Sequence, residues 1–166
     1  MHACSVLLGL GLATLLSGCG FALRGAPNFA FQSVTIVAPE KSALAAELRR
    51  GLAGNDKVQV ISDSKKMDGA QAVLEILSDQ RAKVVTGLTP VGQVTEFQLR
   101  VQVRFRLRTQ QGKELIAETE LTQKRDLSYS ESAALAKEVE EGRLYRDMQT
   151  DLVQQMLRRV AAVTEL

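Results

Sequence analysis

Histidine and cysteine are scarce in this sequence and are confined to its first nineteen residues. Among 166 residues there is one histidine, His2, and there are two cysteines, Cys4 and Cys19. The rest of the chain therefore offers no Ser–His or Cys–His pair for nucleophilic catalysis and no histidine or cysteine ligand for zinc. Paired carboxylates, as in a glycoside hydrolase, remain open as an alternative. We expect a protein that is not an enzyme and that uses neither a metal nor another cofactor.

The sequence also lacks a hydrophobic run long enough to cross a membrane as a helix. The apolar stretch at residues 6–16 has eleven residues, whereas a membrane-spanning helix needs roughly 20. Such a short stretch followed by small residues is typical of a signal peptide. It ends in Leu16-Ser17-Gly18-Cys19, which resembles the lipobox of bacterial lipoproteins, where the cysteine is acylated and the chain is cut before it.

This motif predicts a signal peptide at residues 1–18 and acyl chains, such as palmitate, on Cys19. Gly20, rather than an aspartate, follows the cysteine, and in such lipoproteins this points to the outer membrane. We therefore expect a lipid-anchored outer-membrane protein that faces the periplasm. The alternative is an ordinary signal peptide with Cys19 as an incidental thiol.

Residues 19–31 predict a lipidated tether, which at ~3.4 Å per residue reaches at most about 40 Å. Its three phenylalanines, Phe21, Phe29 and Phe31, could contact lipid, a partner or the domain itself. Residues 32–166 predict one α+β periplasmic domain. The net charge of +2 indicates neither nucleic acid nor a strongly acidic partner.

Residue periodicity predicts one sheet and two helices in the order β-α-β-β-β-β-α. The two helices should cover the single apolar face of a mostly antiparallel sheet, in which the first two strands could lie parallel because a helix joins them. Ser42 is a candidate N-cap for the first helix. The predicted strands are residues 33–37, 57–61, 70–85, 94–109 and 113–128, and the predicted helices are residues 42–53 and 132–163.

Strict alternation of apolar and polar residues marks the strand at residues 94–109, which should have one buried and one exposed face. Its exposed face carries Arg100, Arg104, Arg106 and Arg108. A three-residue turn with Gly112 in a left-handed conformation predicts the register with the next strand. The predicted opposite pairs are Leu107 with Leu115, Phe105 with Ala117, Val101 with Leu121, Arg104 with Glu118, and Gln102 with Glu120.

Three stretches together resemble the LptE family of lipopolysaccharide (LPS) assembly lipoproteins. The first is Gly18-Cys19-Gly20-Phe21-Ala22-Leu23-Arg24-Gly25. The second is Gly92-Gln93 followed by Glu96-Phe97-Gln98-Leu99, which is similar to the start of the family's long strand. The third is Ala134-Leu135-Ala136-Lys137-Glu138, followed by Met148 and Gln154-Gln155 in the last helix.

The resemblance implies a plug inside the β-barrel of LptD, which assists the assembly of that barrel and contacts LPS on its way to the outer leaflet. Lys137 matches a family lysine implicated in LPS contact, whereas Pro90-Val91 stand where the family has a basic residue. The residues themselves permit a binding role, and for the LPS that the resemblance implies the four arginines are candidates for binding its phosphates. They could instead form a solvated face or contact the barrel lumen. The alternative function is a structural or scaffolding lipoprotein of another envelope complex.

Overall fold

A computed structural model describes residues 28–62 and 69–166 of the chain. The predicted signal peptide, Cys19 and most of the predicted tether lie outside these residues. A short 3₁₀ helix, Glu131–Ala133, precedes the last helix. The strands and helices are β1 (Ser33–Val37), α1 (Ala43–Ala53), β2 (Gln59–Ile61), β3 (Ala72–Leu88), β4 (Val94–Thr109), β5 (Glu114–Ser128) and α2 (Ala134–Ala161).

The five strands form one mixed sheet in the order β2-β1-β3-β4-β5. β1 is parallel to both of its neighbours, and β3, β4 and β5 are successive antiparallel strands. The predicted α+β class, the parallel pairing of β1 with β2 and the antiparallel pairing of the long strands are confirmed.

Both helices pack on one face of the sheet, here called the inner face. α1 begins after Ser42, whose side-chain oxygen accepts a hydrogen bond from the backbone N–H of Ala45 at 3.1 Å, as the predicted N-cap requires. The core lies between the helices and the sheet. Its fully buried members include Leu44, Leu48, Leu52, Leu99, Val103, Phe105, Leu107, Met148, Leu152 and Met156.

Two phenylalanines of the predicted tether pack on the domain. Phe31 is 1% exposed and belongs to the core, and Phe29 stacks on it with ring centroids 5.5 Å apart. Of the three predicted alternatives for these phenylalanines, Phe29 and Phe31 thus contact the domain itself. Phe21 lies outside the described residues.

The predicted register between β4 and β5 is correct only beside the turn. Gly112 has the expected positive φ, +94°, and Arg108 lies opposite Glu114. Irregularities on either side of Leu107 then shift the pairing by two residues, because each bulge adds one residue to β5. The observed pairs are Leu107 with Ile116, Phe105 with Thr119, Val103 with Leu121, Gln102 with Thr122, and Arg104 with Glu120.

A shift of one residue would exchange the two faces of β5, but the second shift restores them. From Thr119 onward the predicted faces are thus correct although the predicted partners are wrong. Between the two irregularities Ile116 lies opposite the inward-facing Leu107, where the prediction placed Leu115. Leu121 still packs inward, now against Val103 rather than Val101. The predicted Arg104–Glu118 ion pair is present at 2.9 Å, as a diagonal contact.

A further bulge lies in β3 between Ile76 and Ser78. Before it the inner face carries Ala72, Leu74 and Ile76; after it Asp79, Arg81 and Lys83 lie opposite the inward-facing Val103, Val101 and Leu99 of β4. Because three polar residues replace an apolar row, the far half of β3 contacts the helices and the N-cap Ser42 through hydrogen bonds and the Lys83–Glu141 ion pair.

The domain has two distinct ends. At the proximal end the start of β1 meets the start of β3 through Gln32 and Gln71, and Lys113 contacts Leu166. The distal end contains the β3–β4 turn at residues 89–93, the end of β5 and the start of α2. At ~3.3 Å per residue, the sixteen residues of β4 separate the two ends by about 50 Å.

Candidate functional site

Arg100, Arg104, Arg106 and Arg108, here called the basic row, lie on the outer face of the sheet. They alternate along β4 with buried apolar residues, as the sequence predicts. The helices occupy the opposite face, so the basic row is open to solvent or to a partner. The structure therefore brings all four sequence-predicted arginines together on one surface.

Three of these arginines are held by carboxylates. Arg106 and Arg108 both donate to Glu75 of β3, at 2.9 Å for the Arg108 Nε to the Glu75 Oε1. Arg104 donates to the Ser78 hydroxyl at 3.1 Å and to Glu118 at 2.9 Å. These bonds fix the direction of each guanidinium group and neutralise part of its charge.

Glu75 is the most strongly held acid of this surface, with a side chain 12% exposed. Burial by itself raises the pKa of its carboxyl, but the hydrogen bonds and positive charges of Arg106 and Arg108 outweigh burial and hold the pKa below its ordinary value. Glu75 therefore stays ionised and links β3 to β4.

Arg100 differs from the other three arginines. Its Nε donates to the Gln98 side-chain oxygen at 2.8 Å, and its cross-strand partner on β5 is Lys124. Within the described residues no carboxylate forms an ion pair with Arg100 or Lys124. Two cations thus face each other across the strands with no ion-pair partner among the described residues.

Lys137, the fifth predicted contact residue, lies apart from the basic row. It is in the first turn of α2, which packs on the inner side of the sheet, and its ammonium group donates to Ser128 at 3.0 Å and to Glu140 at 2.9 Å. The structure therefore does not combine Lys137 and the arginines into one site.

Lys137 borders an open cleft of about 630 Å³ between the start of α2 and the distal sheet. Lys83 crosses the cleft to Glu141 at 2.6 Å, and its ammonium group lies 4.1 Å from the centre of the Phe97 ring. Tyr145 donates its hydroxyl to the backbone oxygen of Ala82 at 2.9 Å, and burial together with the charge of Glu141 raises its pKa. The cleft is both charged and apolar.

Exposed apolar side chains lie at the same distal end as this cleft, and one of them, Leu135, lines it. Leu135 is 82% exposed and Val139 is 73% exposed on the first turns of α2, and Val91 in the β3–β4 turn is 81% exposed. Such residues at one end of a domain are typical of a surface that contacts a partner or an amphiphile.

Sequence reasoning missed Glu75 and Lys124 as members of the outer surface. The position of Lys124 depends on strand pairing: the predicted register places Thr122 opposite Arg100, whereas the β5 bulges place Lys124 there. No local pattern in β5 signals these bulges. The outward position of Glu75, however, follows from the alternation of β3.

Within the described residues no group of three or more His, Cys, Asp or Glu side chains is placed to hold a metal ion. No helix in these parts of the chain is both long and apolar enough to cross a membrane.

The family model LptE, lipopolysaccharide-assembly, matches residues 31–160 of the chain. No curated protein matches the chain significantly. The chain is similar to the solution structure of an uncharacterized lipoprotein B from Nitrosomonas europaea, with 35% identity, a TM-score of 0.74 and coverage of 87% of this chain and 92% of that one.

Two crystal structures are also similar at 26% identity and a TM-score of 0.65. The minor lipoprotein from Acinetobacter baumannii is matched over 81% of this chain and 94% of that chain. The rare lipoprotein B from Shewanella oneidensis is matched over 78% of this chain and 94% of that chain. Since the family model spans nearly the whole folded domain, the chain belongs to the LptE family of lipopolysaccharide-assembly proteins.

Proposed function

We propose that this protein is a lipid-anchored component of the machinery that assembles LPS in the outer membrane. It is exported, loses residues 1–18, carries acyl chains on Cys19 and faces the periplasm. There it pairs with the LptD barrel as a plug, assists assembly of that barrel and helps transfer LPS to the outer leaflet. The match of the LptE family model to residues 31–160 carries this proposal.

The surfaces of the domain support a role in binding rather than in catalysis. The outer face carries four arginines on one strand, and the distal end combines Lys137 with exposed apolar side chains. LPS has phosphates and acyl chains, so a protein that handles it needs cations beside apolar surface. A partner barrel with a polar lumen would meet the same charged face.

The first experiment is a pull-down of the tagged, full-length protein from native envelopes in mild detergent, followed by mass spectrometry. We expect stoichiometric recovery of LptD. Recovery of the protein without LptD, under conditions that preserve other barrel complexes, would reject the plug function and favour a scaffold for another envelope complex.

A Cys19→Ser variant tests the anchor separately. We expect the wild-type protein to fractionate with the outer membrane and its first mature residue to carry the mass of acyl chains. The variant should lack that mass and leave the membrane fraction unless LptD retains it. An unmodified Cys19 in the wild-type protein would reject the anchor.

A further inference from the structure

Arg100 and Lys124 form the one part of the basic surface where the described residues leave two adjacent cations without a counter-charge. They are direct cross-strand partners on β4 and β5, and both side chains are exposed on the outer face. Like charges in this position destabilise a strand pair. By contrast, Arg104, Arg106 and Arg108 each bind a carboxylate. Two adjacent cations without an ion-pair partner, on a surface where the other arginines are paired, are suited to bind an anion.

The neighbouring acids have other partners. Asp126 accepts a hydrogen bond from the Gln98 amide at 3.1 Å, and Glu120 lies opposite Arg104, with the Thr122 hydroxyl 3.5 Å from its carboxylate. Gln98 also accepts the Nε donor of Arg100. No other described residue takes the remaining guanidinium donors of Arg100 or the ammonium group of Lys124, so these groups are available for a ligand.

The surface around the two cations is concave and polar. Ala82 of β3 lies opposite Arg100, and its small side chain leaves a depression of about 330 Å³ between longer neighbours. Amide and hydroxyl groups border this depression and supply further hydrogen-bond donors. The side chains that line it from the outer face are Gln80, Ala82, Arg100, Gln102, Thr122 and Lys124.

We propose that Arg100 and Lys124 bind the phosphate group of a phosphorylated ligand in this depression. Arg100 supplies a planar fork of donors and Lys124 a compact charge, and a phosphate has enough oxygens to accept from both and from a neighbouring amide. The other three arginines orient the strands and are not the phosphate site. The inference deepens the proposed function and rests on it for the ligand, because LPS supplies such phosphates.

The test compares R100Q/K124Q with the matched variant R143Q/R146Q in the full-length, lipidated protein. Both variants lose two positive charges, but Arg143 and Arg146 are exposed on α2, outside the depression. Binding of purified LPS and of chemically dephosphorylated LPS is measured in neutral detergent. Loss of charged hydrogen bonds should weaken binding of LPS by R100Q/K124Q about tenfold or more, with no change for R143Q/R146Q.

Dephosphorylated LPS should bind to the wild-type protein and to R100Q/K124Q equally. Equal affinity of the wild-type protein and R100Q/K124Q for intact LPS would overturn the proposal. It would also be overturned if R100Q/K124Q lost the same affinity for intact and for dephosphorylated LPS. The thermal midpoint of R100Q/K124Q should not fall, since the change removes a repulsion; a lower midpoint would contradict the unpaired state of the two cations.

Inorganic phosphate distinguishes the two sources of the phosphate group. Competition by millimolar phosphate in the wild-type protein supports a site that accepts the free ion, whereas LPS binding without competition supports a site for lipid-borne phosphate. A pull-down with R100Q/K124Q tests the proposed function separately from the phosphate site, because it measures recovery of LptD and not binding of phosphate. If LptD is recovered but phosphate removal never affects binding, the phosphate site fails and the proposed function stands.

Discussion

Glu75 shows how one residue determines what the outer face can bind. Its carboxylate holds Arg106 and Arg108 together on the surface of the sheet. The guanidinium groups of Arg106 and Arg108, both bound to one carboxylate, are less available to an external anion than that of Arg100, which binds no carboxylate among the described residues. The number of arginines on the strand therefore overstates its capacity for phosphate.

Replacing Glu75 by glutamine should change how stability depends on pH. The folded-state pKa of Glu75 lies below that of the unfolded chain, so its stabilisation is present above the unfolded pKa and is lost as the pH falls through the folded pKa. We expect Glu75→Gln to lower the free energy of unfolding by ~1–2 kcal/mol at neutral pH, since both arginines are partly exposed. Urea unfolding from pH 7 to pH 3 measures the difference.

The two unfolding curves should converge in acid, where Glu75 of the wild-type protein becomes protonated. Glu118→Gln is the matched control, because its ion pair with Arg104 has a 52% exposed carboxylate and should contribute less than ~1 kcal/mol. A constant difference between Glu75→Gln and wild type across this pH range would argue against the carboxylate as its source.

Gly112 is required by the conformation of its own backbone. It has φ +94°, and a Cβ built at this position meets no heavy atom within 4 Å. Gly112→Ala should therefore cost about 1–2 kcal/mol from backbone strain alone. Gly112→Asn should cost less, because asparagine tolerates positive φ better. Equal losses for both variants in thermal unfolding would contradict this explanation.

At the scale of elements, α2 is one continuous helix with two differently bound parts. Its fully buried residues all lie from Met148 onward, whereas its first turns expose Leu135 and Val139 and contact the sheet through Lys83–Glu141 and Lys137–Ser128. Charged contacts at an exposed surface stabilise little. The start of α2 should open more readily than the rest.

Hydrogen exchange tests this difference directly. Backbone amides at residues 138–142 should exchange at least about tenfold faster than those at residues 148–160, because the former open without disturbing the core. Gly142→Ala should slow exchange at the start of α2 about fivefold, since alanine favours a helix by about 1 kcal/mol and its Cβ meets only Arg146, at 3.6 Å. Uniform protection along α2 would contradict a two-part helix.

Single strands could be predicted from the sequence, whereas the way in which the strands pair could not. The alternation from Phe97 to Leu107 is local, so it correctly predicts β4, its buried face and the basic row. The bulges at Leu77 and beside Leu107 depend on how whole strands pair, and no residue signals them. They determine that Lys83 faces α2 and that Lys124 faces Arg100, so the sequence predicts the arginines but not the unpaired cation pair.

At the scale of the whole molecule, the β3–β4 hairpin extends at the distal end beyond the part of the sheet that β1 covers. β1 pairs with only the first residues of β3, Ala72 to Glu75, and the sheet continues beyond it as three strands. Phe31, which precedes β1, joins the core near the proximal end. The chain that leads back to Cys19 therefore enters the domain far from the turn that carries Val91.

A distance between spin labels at Val91 and Gln111 measures this extension. Both positions are exposed, one in each turn that flanks β4, and Cys4 and Cys19 are replaced by serine so that no other thiol reacts. We expect about 50 Å by pulsed electron paramagnetic resonance, from sixteen residues at ~3.3 Å each.

Labels at Gln111 and Glu165 are the control and should lie much closer, because Lys113 contacts Leu166. A Val91–Gln111 distance well below about 40 Å would mean that the hairpin folds back on the domain, and the distal cleft and Lys137 would then not lie at the end opposite the start of β1.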